Sequence, residues 1–361
     1  MINKTMKKTV LLVFSLCLTP ASLLAKPPAT IKANLLSVKK IWEQAPHNAF
    51  TDLIRFRNRW YCVFREGAGH AEGEGKLRIL TSTDGEQWEA VALIEEPGRD
   101  LRDAKLSITP AGQLMLNGGS ADPHDHGPKG SFYSVVSFSQ DGRNWSTLQR
   151  VQHKNPADNR YWLWRVIWHK GTAYGVAYMT APDSPANRRV FNAFVCRSKD
   201  GLNYERLTDL LPGLTEAALT FDRNDQLSIL ARGSDAQPKA VVLQARAPYI
   251  EWKRAELTAD AGDDQIGGPA LLDQASYSLP NGWLIGSGRR FSDKPAKERR
   301  TGLFLIDPAK GALTSLLLFP SGGDTSYPGL VFYRGVLWLS YYSSHEGKSA
   351  IYLAKLKLTK Q

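Results

Sequence analysis

The sequence predicts an all-β fold, a six-bladed β-propeller, on three observations. A turn of the form S-x-D-G-x-x-W stands at Ser82 to Trp88 and again at Ser139 to Trp145. A third copy at Ser198 to Tyr204 carries tyrosine in place of tryptophan. Helical periodicity is nearly absent, and short apolar or aromatic runs are punctuated by Gly, Pro, Asn and Asp. Those runs fall into six units with a repeat of about 50 to 60 residues, the period of an architecture that removes free sheet edges by radial repetition.

Each unit begins with a strand, a tight turn and a second strand. The six are "FTDLIRFRNRWYCVFREG", "LRDAKLSITPAGQLMLNGG", "WRVIWHKGTAYGVAYM", "TEAALTFDRNDQLSILARG", "GPALLDQASYSLPNGWLIGSGRR" and "SYPGLVFYRGVLWLSYY". The first three continue into a third strand that ends in the S-x-D-G turn. The fourth and fifth end in the degenerate turns "APYIEW" and "LIDPAKGALT", and the last in "SAIYLAKLKL". In the turn, serine and aspartate can hydrogen-bond local backbone, glycine permits positive φ, and the aromatic ring packs. Ser82, Asp84, Trp88, Ser139, Asp141 and Trp145 are therefore folding residues rather than site residues.

Residues 1–25 have the layout of a secretory signal peptide: lysines, an apolar run from Thr9 to Leu18, then small residues up to Ala25. The expectation is an exported protein, periplasmic or secreted, with residues 26–361 forming a single propeller domain. No later segment approaches the length of a membrane-spanning apolar run. The net charge of +11 is spread along the chain rather than gathered in blocks, which argues against nucleic acid and is compatible with an acidic substrate. Beyond the leader only Cys62 and Cys196 remain, both in apolar, strand-like runs, and they read as buried thiols.

Function is expected where the first two strands of each unit open, at the end opposite their turn. Residues equidistant from the turn lie side by side there. That construction sets Glu216 beside Arg232, Asp52 near Arg65 and Glu66, Asp103 near Asn117 and Gly118, Arg165 beside Tyr178, Gly268 and Pro269 near Arg289, and Tyr327 beside Tyr341. Arg102, Asp103 and Lys105 alternate along one strand near the axis. His124, Asp125 and His126 read as a polar rim loop, and neither metal nor cofactor is expected.

These residues resemble the sialidase (neuraminidase) superfamily. The S-x-D-G-x-x-W turns are close to its Asp-box, one residue shorter, and the resemblance spans nearly all of the chain after the leader. It implies that Tyr327 is a nucleophile, that Glu216 takes its proton, and that Arg232 and Arg289, or alternatively Arg290, hold a substrate carboxylate. The chemistry is coherent, because a neutral phenol avoids the repulsion that an anionic nucleophile would meet beside an anomeric carboxylate. Arginines clamp that carboxylate bidentately.

The chain departs from the superfamily twice. Phe-Arg-Ile-Pro of the first blade is replaced by "FTDL", so one clamp arginine is missing, with Arg102, Arg165 and Arg65 as substitutes. The following loop, "REGAGHAEGEGK", lacks the superfamily's acid/base aspartate and leaves His70, Glu72, Glu74 or Asp52 for that role. The reading is an exo-glycosidase of an acidic sugar, expected to be monomeric and to take a glycan or glycoconjugate substrate. Two alternatives stand beside it: a two-carboxylate glycosidase using Asp52 and Glu216, and a noncatalytic glycan-binding propeller.

Overall fold

The computed structural model describes residues 31–124, 131–155, 160–181, 190–234, 239–260, 265–291 and 294–360. The expected leader lies outside these residues, and of the His124–Asp125–His126 loop only His124 is described. Six small sheets are arranged in a ring, and each is one of the repeating units. The strand β1 (Ile31–Trp42) precedes the first blade but does not belong to it. Blade 1 is β2 (His47–Phe56), β3 (Arg59–Gly67), β4 (Lys76–Ser82) and β5 (Glu89–Ile94), and blade 2 is β6 (Asp100–Ile108), β7 (Leu114–Ala121), β8 (Phe132–Ser139) and β9 (Gln149–Arg150). Blade 3 takes an outer strand β10 (Gln152–His153), then β11 (Trp162–His169), β12 (Thr172–Thr180), β13 (Phe191–Ser198) and β14 (Asn203–Pro212). Blade 4 is β15 (Leu214–Phe221), β16 (Leu227–Gly233), β17 (Val241–Ala245) and β18 (Lys253–Glu256). Blade 5 takes an outer strand β19 (Thr258–Ala259), then β20 (Gly267–Leu271), β21 (Leu284–Arg290), β22 (Arg300–Asp307) and β23 (Ala312–Leu318). Blade 6 is β24 (Thr325–Tyr333), β25 (Val336–Ser343) and β26 (Ala350–Lys360), and its fourth strand is β1.

This is a six-bladed β-propeller. Its ring closes because β1 pairs antiparallel with β26, from Ile31 opposite Lys360 to Trp42 opposite Ile351. The last blade is thus built from both termini, and the apolar edge of β26 is covered. Among the described residues no helix is long and apolar enough to cross a membrane.

The innermost hairpins of blades 1, 3 and 6 turn on two residues with positive φ: Arg57 and Asn58, Lys170 and Gly171, Arg334 and Gly335. That geometry matches the right-handed twist of the strands it joins. Core packing lies between blades, and six apolar clusters fill the six junctions. At the junction of blades 6 and 1 the rings of Trp60 and Trp338 stand 4.4 Å apart. Cys62 and Cys196 are both buried and free.

The three S-x-D-G turns share one geometry. Gly85, Gly142 and Gly201 each donate an N–H to the serine Oγ three residues earlier, at 2.8, 2.8 and 2.9 Å, and each has φ between 75° and 78°. The aspartate collects the next two backbone N–H groups, which holds the Asp84 carboxyl down at about 2. Each glycine meets a side chain of an adjoining blade: Gly201 meets Met115 of blade 2 as well as Trp168 of its own blade. A Cβ on Gly85 would fall 2.4 Å from the Trp338 ring, and one on Gly142 would fall 2.2 Å from Tyr61, whose hydroxyl bonds the Asp141 carbonyl. The turns therefore staple neighbouring blades together, at the face of the ring opposite the open hairpin ends.

Deleting Ser349 to Gln361 removes β26 and with it the only described partner of β1. The shortened protein is expected to lose cooperative unfolding by calorimetry; a melting transition like that of the parent would show that the ring does not depend on this closure.

Candidate active site

At the open end of every inner hairpin the pairing register slips. The shifts lie between Ala49 and Asp52, Arg102 and Lys105, Leu163 and Arg165, Leu214 and Ala217, Gly267 and Ala270, and Ser326 and Gly329. A β-bulge re-aims side chains and bends its strand. Six bulges around one axis thus turn Phe50, Asp103, Trp164, Glu216, Gly268 and Tyr327 toward a common space. Phe50, Asp103, Gly268 and Tyr327 hold positive φ, between 52° and 62°. For a side chain as large as tyrosine this costs of the order of 1–3 kcal/mol and persists only where surroundings enforce it. Here Thr51 Oγ1 donates to the Tyr327 carbonyl at 2.7 Å, and Ser326 Oγ donates to the Gly267 carbonyl at 2.6 Å.

Tyr327 donates its hydroxyl to Glu216 Oε1 at 2.6 Å. Arg232 donates to the same oxygen at 2.8 Å, and the Gly268 N–H donates to Oε2 at 2.7 Å. Burial alone would raise the Glu216 carboxyl, but Arg232, the Tyr327 hydroxyl, Arg289 and the Gly268 N–H together hold it below its usual range. Tyr327 is pushed well above the ordinary tyrosine value by burial and by the charges of Glu216 and Asp103. The pair is accordingly a neutral phenol donating to a carboxylate. Phe50, Trp164 and Tyr342 pack around the Tyr327 ring at 4.9, 5.4 and 6.0 Å, and Gly268 lies so close that a Cβ would meet that ring at 2.7 Å.

Asp103 is 7% exposed and its Oδ1 has no hydrogen-bond partner among the described residues. Burial pushes its carboxyl up to about 6, against the opposing pull of Lys105 and Arg102. Lys105, beneath Tyr327 and Trp164, is brought down to about 8 by its own burial. Arg102 bonds Asp100, which is fully buried and accepts from Arg65 Nε on its other oxygen at 2.7 Å. Both Asp103 and Tyr327 act electrostatically on Arg102, which places it beside the axis.

The unbroken register read from the sequence is corrected by the bulges. Glu216 and Arg232 do meet, but Tyr341 pairs with Tyr352 and stacks on it, while Tyr342 is the residue beside Tyr327. Arg165 pairs with Val176 rather than Tyr178, and Ala49 rather than Asp52 stands opposite Arg65. Asp52 is 1% exposed; one oxygen accepts from Arg165 at 2.9 Å and the other from the Leu106 N–H at 2.8 Å. That pair forms a floor beneath the bulges, where Arg165 also borders a cavity of about 630 Å³ at the far end of the axis. Arg65 has no exposed side-chain surface and binds Asp100 and the carbonyls of Gly69 and Glu72, so it supports the loop after β3 from within. Of the two adjacent arginines, Arg290 is buried at 1% whereas Arg289 influences both Glu216 and Tyr327. His70 is on the loop after β3, with Nδ1 at 2.6 Å from Asp324 Oδ2, and its ring stands 5.0 Å from Phe50.

Sequence reasoning missed Phe50, Trp164, Tyr342, His47 and Asp324. The one available signal was that Asp324 precedes Tyr327 by three residues in the same polar stretch, "DTSY".

Comparison with known proteins bears on the fold. No family model and no curated protein matches the chain. Among solved structures, a protein of unknown function from Dyadobacter fermentans superposes with a TM-score of 0.74 at 16% identity, covering 91% of this chain and all of that one. Trypanosoma rangeli sialidase gives 0.66 at 11% identity over 92% of this chain, and the Hadza microbial sialidase Hz136 gives 0.63 at 14% over 88%. The fold is that of the sialidases. This chain spans 60% of the trypanosomal chain and 66% of the Hadza one.

If Arg65 is an internal support, Arg65→Ala leaves the buried Asp100 short of a partner. Urea unfolding should then show a loss of about 3–5 kcal/mol, the usual effect of removing one member of a buried ion pair. A variant as stable as the parent would contradict the supporting role.

Proposed function

We propose that the protein is an exo-glycosidase of acidic sugars that works through a tyrosyl–sugar intermediate. The observation that carries this reading is the Glu216 carboxylate, which accepts from the Tyr327 hydroxyl and Arg232 on one oxygen. A phenol that must lose its proton as it attacks needs a carboxylate within hydrogen-bond reach, and Glu216 stands 2.6 Å from the Tyr327 hydroxyl at the axis of the ring. Arg232, one-third exposed, and Arg289 supply cations for a substrate carboxylate, and Arg102 is the proposed third member in place of the arginine absent from "FTDL". The leader read in the sequence would put this activity outside the cytoplasm.

In the first step Tyr327 Oη bonds to the anomeric carbon while its proton passes to Glu216. The bond from that carbon to the glycosidic oxygen breaks, and the oxygen takes a proton from an acid. We assign that acid to Asp103 rather than His70. Asp103 occupies the bulge of blade 2, as Tyr327 and Glu216 occupy those of blades 6 and 4, and its carboxyl is raised to about 6 by burial, which suits proton transfer near neutrality. The His70 ring is half exposed and already engaged by Asp324. In the second step water attacks the anomeric carbon and gives its proton to Asp103, while the departing Tyr327 oxygen recovers its proton from Glu216.

Tyr327→Phe should fold normally and lose turnover by several orders of magnitude, and a fluorinated sugar should be found by mass spectrometry on Tyr327 of the parent. Labelling of a carboxylate instead would favour the two-carboxylate glycosidase. Absence of hydrolysis across aryl glycosides of sialic acids, other 2-keto acid sugars and uronic acids would favour a glycan-binding propeller.

Asp103 must be protonated to act first. The kcat/KM of glycosides with poor leaving groups should therefore fall as pH rises through about 6. Asp103→Asn should abolish that limb and cost about 10²- to 10⁴-fold on such substrates while sparing dinitrophenyl glycosides. If His70→Ala alone showed this leaving-group dependence, the acid would be His70.

A further inference from the structure

Beside the tyrosine pocket, three segments that are far apart in the chain bring nitrogen and oxygen donors to one point. His47 begins β2, His70 sits on the loop after β3, and Asp324 immediately precedes β24. His47 Nε2 is 2.9 Å and His70 Nδ1 is 2.6 Å from the same oxygen, Asp324 Oδ2, and the three donor atoms lie within 4.8 Å of one another. We propose that His47, His70 and Asp324 form a binding site for a divalent first-row transition ion of the zinc class.

Four observations support the assignment. Two imidazoles and one carboxylate are a borderline donor set, suited to such ions and unlike the all-oxygen cages of calcium. Donors around a tetrahedral ion at about 2.0–2.1 Å stand roughly 3.4 Å apart, so the present contacts need open by less than about 1 Å. The carboxylate is oriented from behind: the Tyr342 hydroxyl donates to Asp324 Oδ1 at 2.7 Å, leaving Oδ2 for the ion, and Ser344 Oγ accepts the Asp324 N–H at 2.8 Å. The His70 side chain is 54% exposed whereas that of His47 is 12% exposed, so an ion could enter from solvent and keep water in its remaining positions.

The place of the site says what the ion does. Phe50 touches the rings of His47, His70, Tyr342 and Tyr327, and Asp324 leads directly into the strand that carries Tyr327. An ion held here ties the glycine-rich loop after β3 to blade 6 and braces the wall of the tyrosine pocket. It requires nothing of the glycosidase reading, since binding would occur whether or not Tyr327 is a nucleophile.

The test uses the mature chain without a histidine tag, stripped with chelator and titrated with Co²⁺ as probe. One equivalent should bind with the visible d–d absorption of a nitrogen- and oxygen-ligated cobalt, Zn²⁺ should displace it, and the melting temperature should rise on loading. His70→Ala and His47→Ala should each weaken cobalt binding by more than about tenfold, with the far-ultraviolet circular dichroism unchanged. His70 is exposed enough that its variant should fold even if that of His47 does not. Failure of the parent to take up stoichiometric cobalt would reduce the three residues to a hydrogen-bonded clamp, and equal uptake by parent and both variants would locate the ion elsewhere.

Discussion

A ring of blades has no interior unless it is closed, and the pairing of β1 with β26 is what closes this one. Each blade buries its faces only against its neighbours, so six apolar junctions stand or fall together. The two strands are separated by roughly three hundred residues of sequence, which makes the closure a long-range contact with a large loop-closure entropy to overcome. The S-x-D-G turns reinforce the same junctions from outside, because their glycines are pressed against side chains of the adjoining blade. Rigidity at the axis follows from these contacts rather than from any one blade.

That rigidity is what permits the inner strands to be irregular. A bulge at the same point of every inner hairpin points five side chains and the Gly268 backbone inward, and several of these residues hold backbone conformations that a free chain would leave. The hydrogen bonds of Thr51 and Ser326 show how the strain at Tyr327 is contained by neighbouring blades. Two layers of charge result. Above the bulges, Glu216, Arg232, Arg289, Asp103 and Arg102 face the open end; below them, Asp52 and Arg165 close the floor. In the lower layer both Asp52 oxygens are bonded and only Arg165 Nε lacks a described partner, whereas the upper layer contains a carboxyl oxygen with no described partner and, in Arg232, an arginine with exposed surface.

Thr51 is fully buried and holds both the Tyr327 carbonyl and Ser340, so it acts on the backbone of blade 6 and not on a substrate. Arg102 is held beside the axis through Asp100, with Arg65 as the far anchor of that buried chain.

The amino-acid sequence by itself determined the blade count, the strand order and the structural duty of the S-x-D-G turns, because these follow from local patterns: alternation, turn chemistry and a repeat of fixed length. It also determined that Tyr327, Glu216, Arg232 and Arg289 belong to one end of the ring, since equivalent positions in repeats share an environment. What it could not determine was which neighbours face the axis. Bulges leave no mark in the hydrophobic pattern, yet each shifts the pairing and exchanges one face for the other, which is why Tyr342 rather than Tyr341 stands beside Tyr327 and why Asp52 lies in the floor. The same holds for Arg65, His47 and Asp324: their partners come from loops and blades distant in the chain, so only the closed ring decided which side chains each would meet.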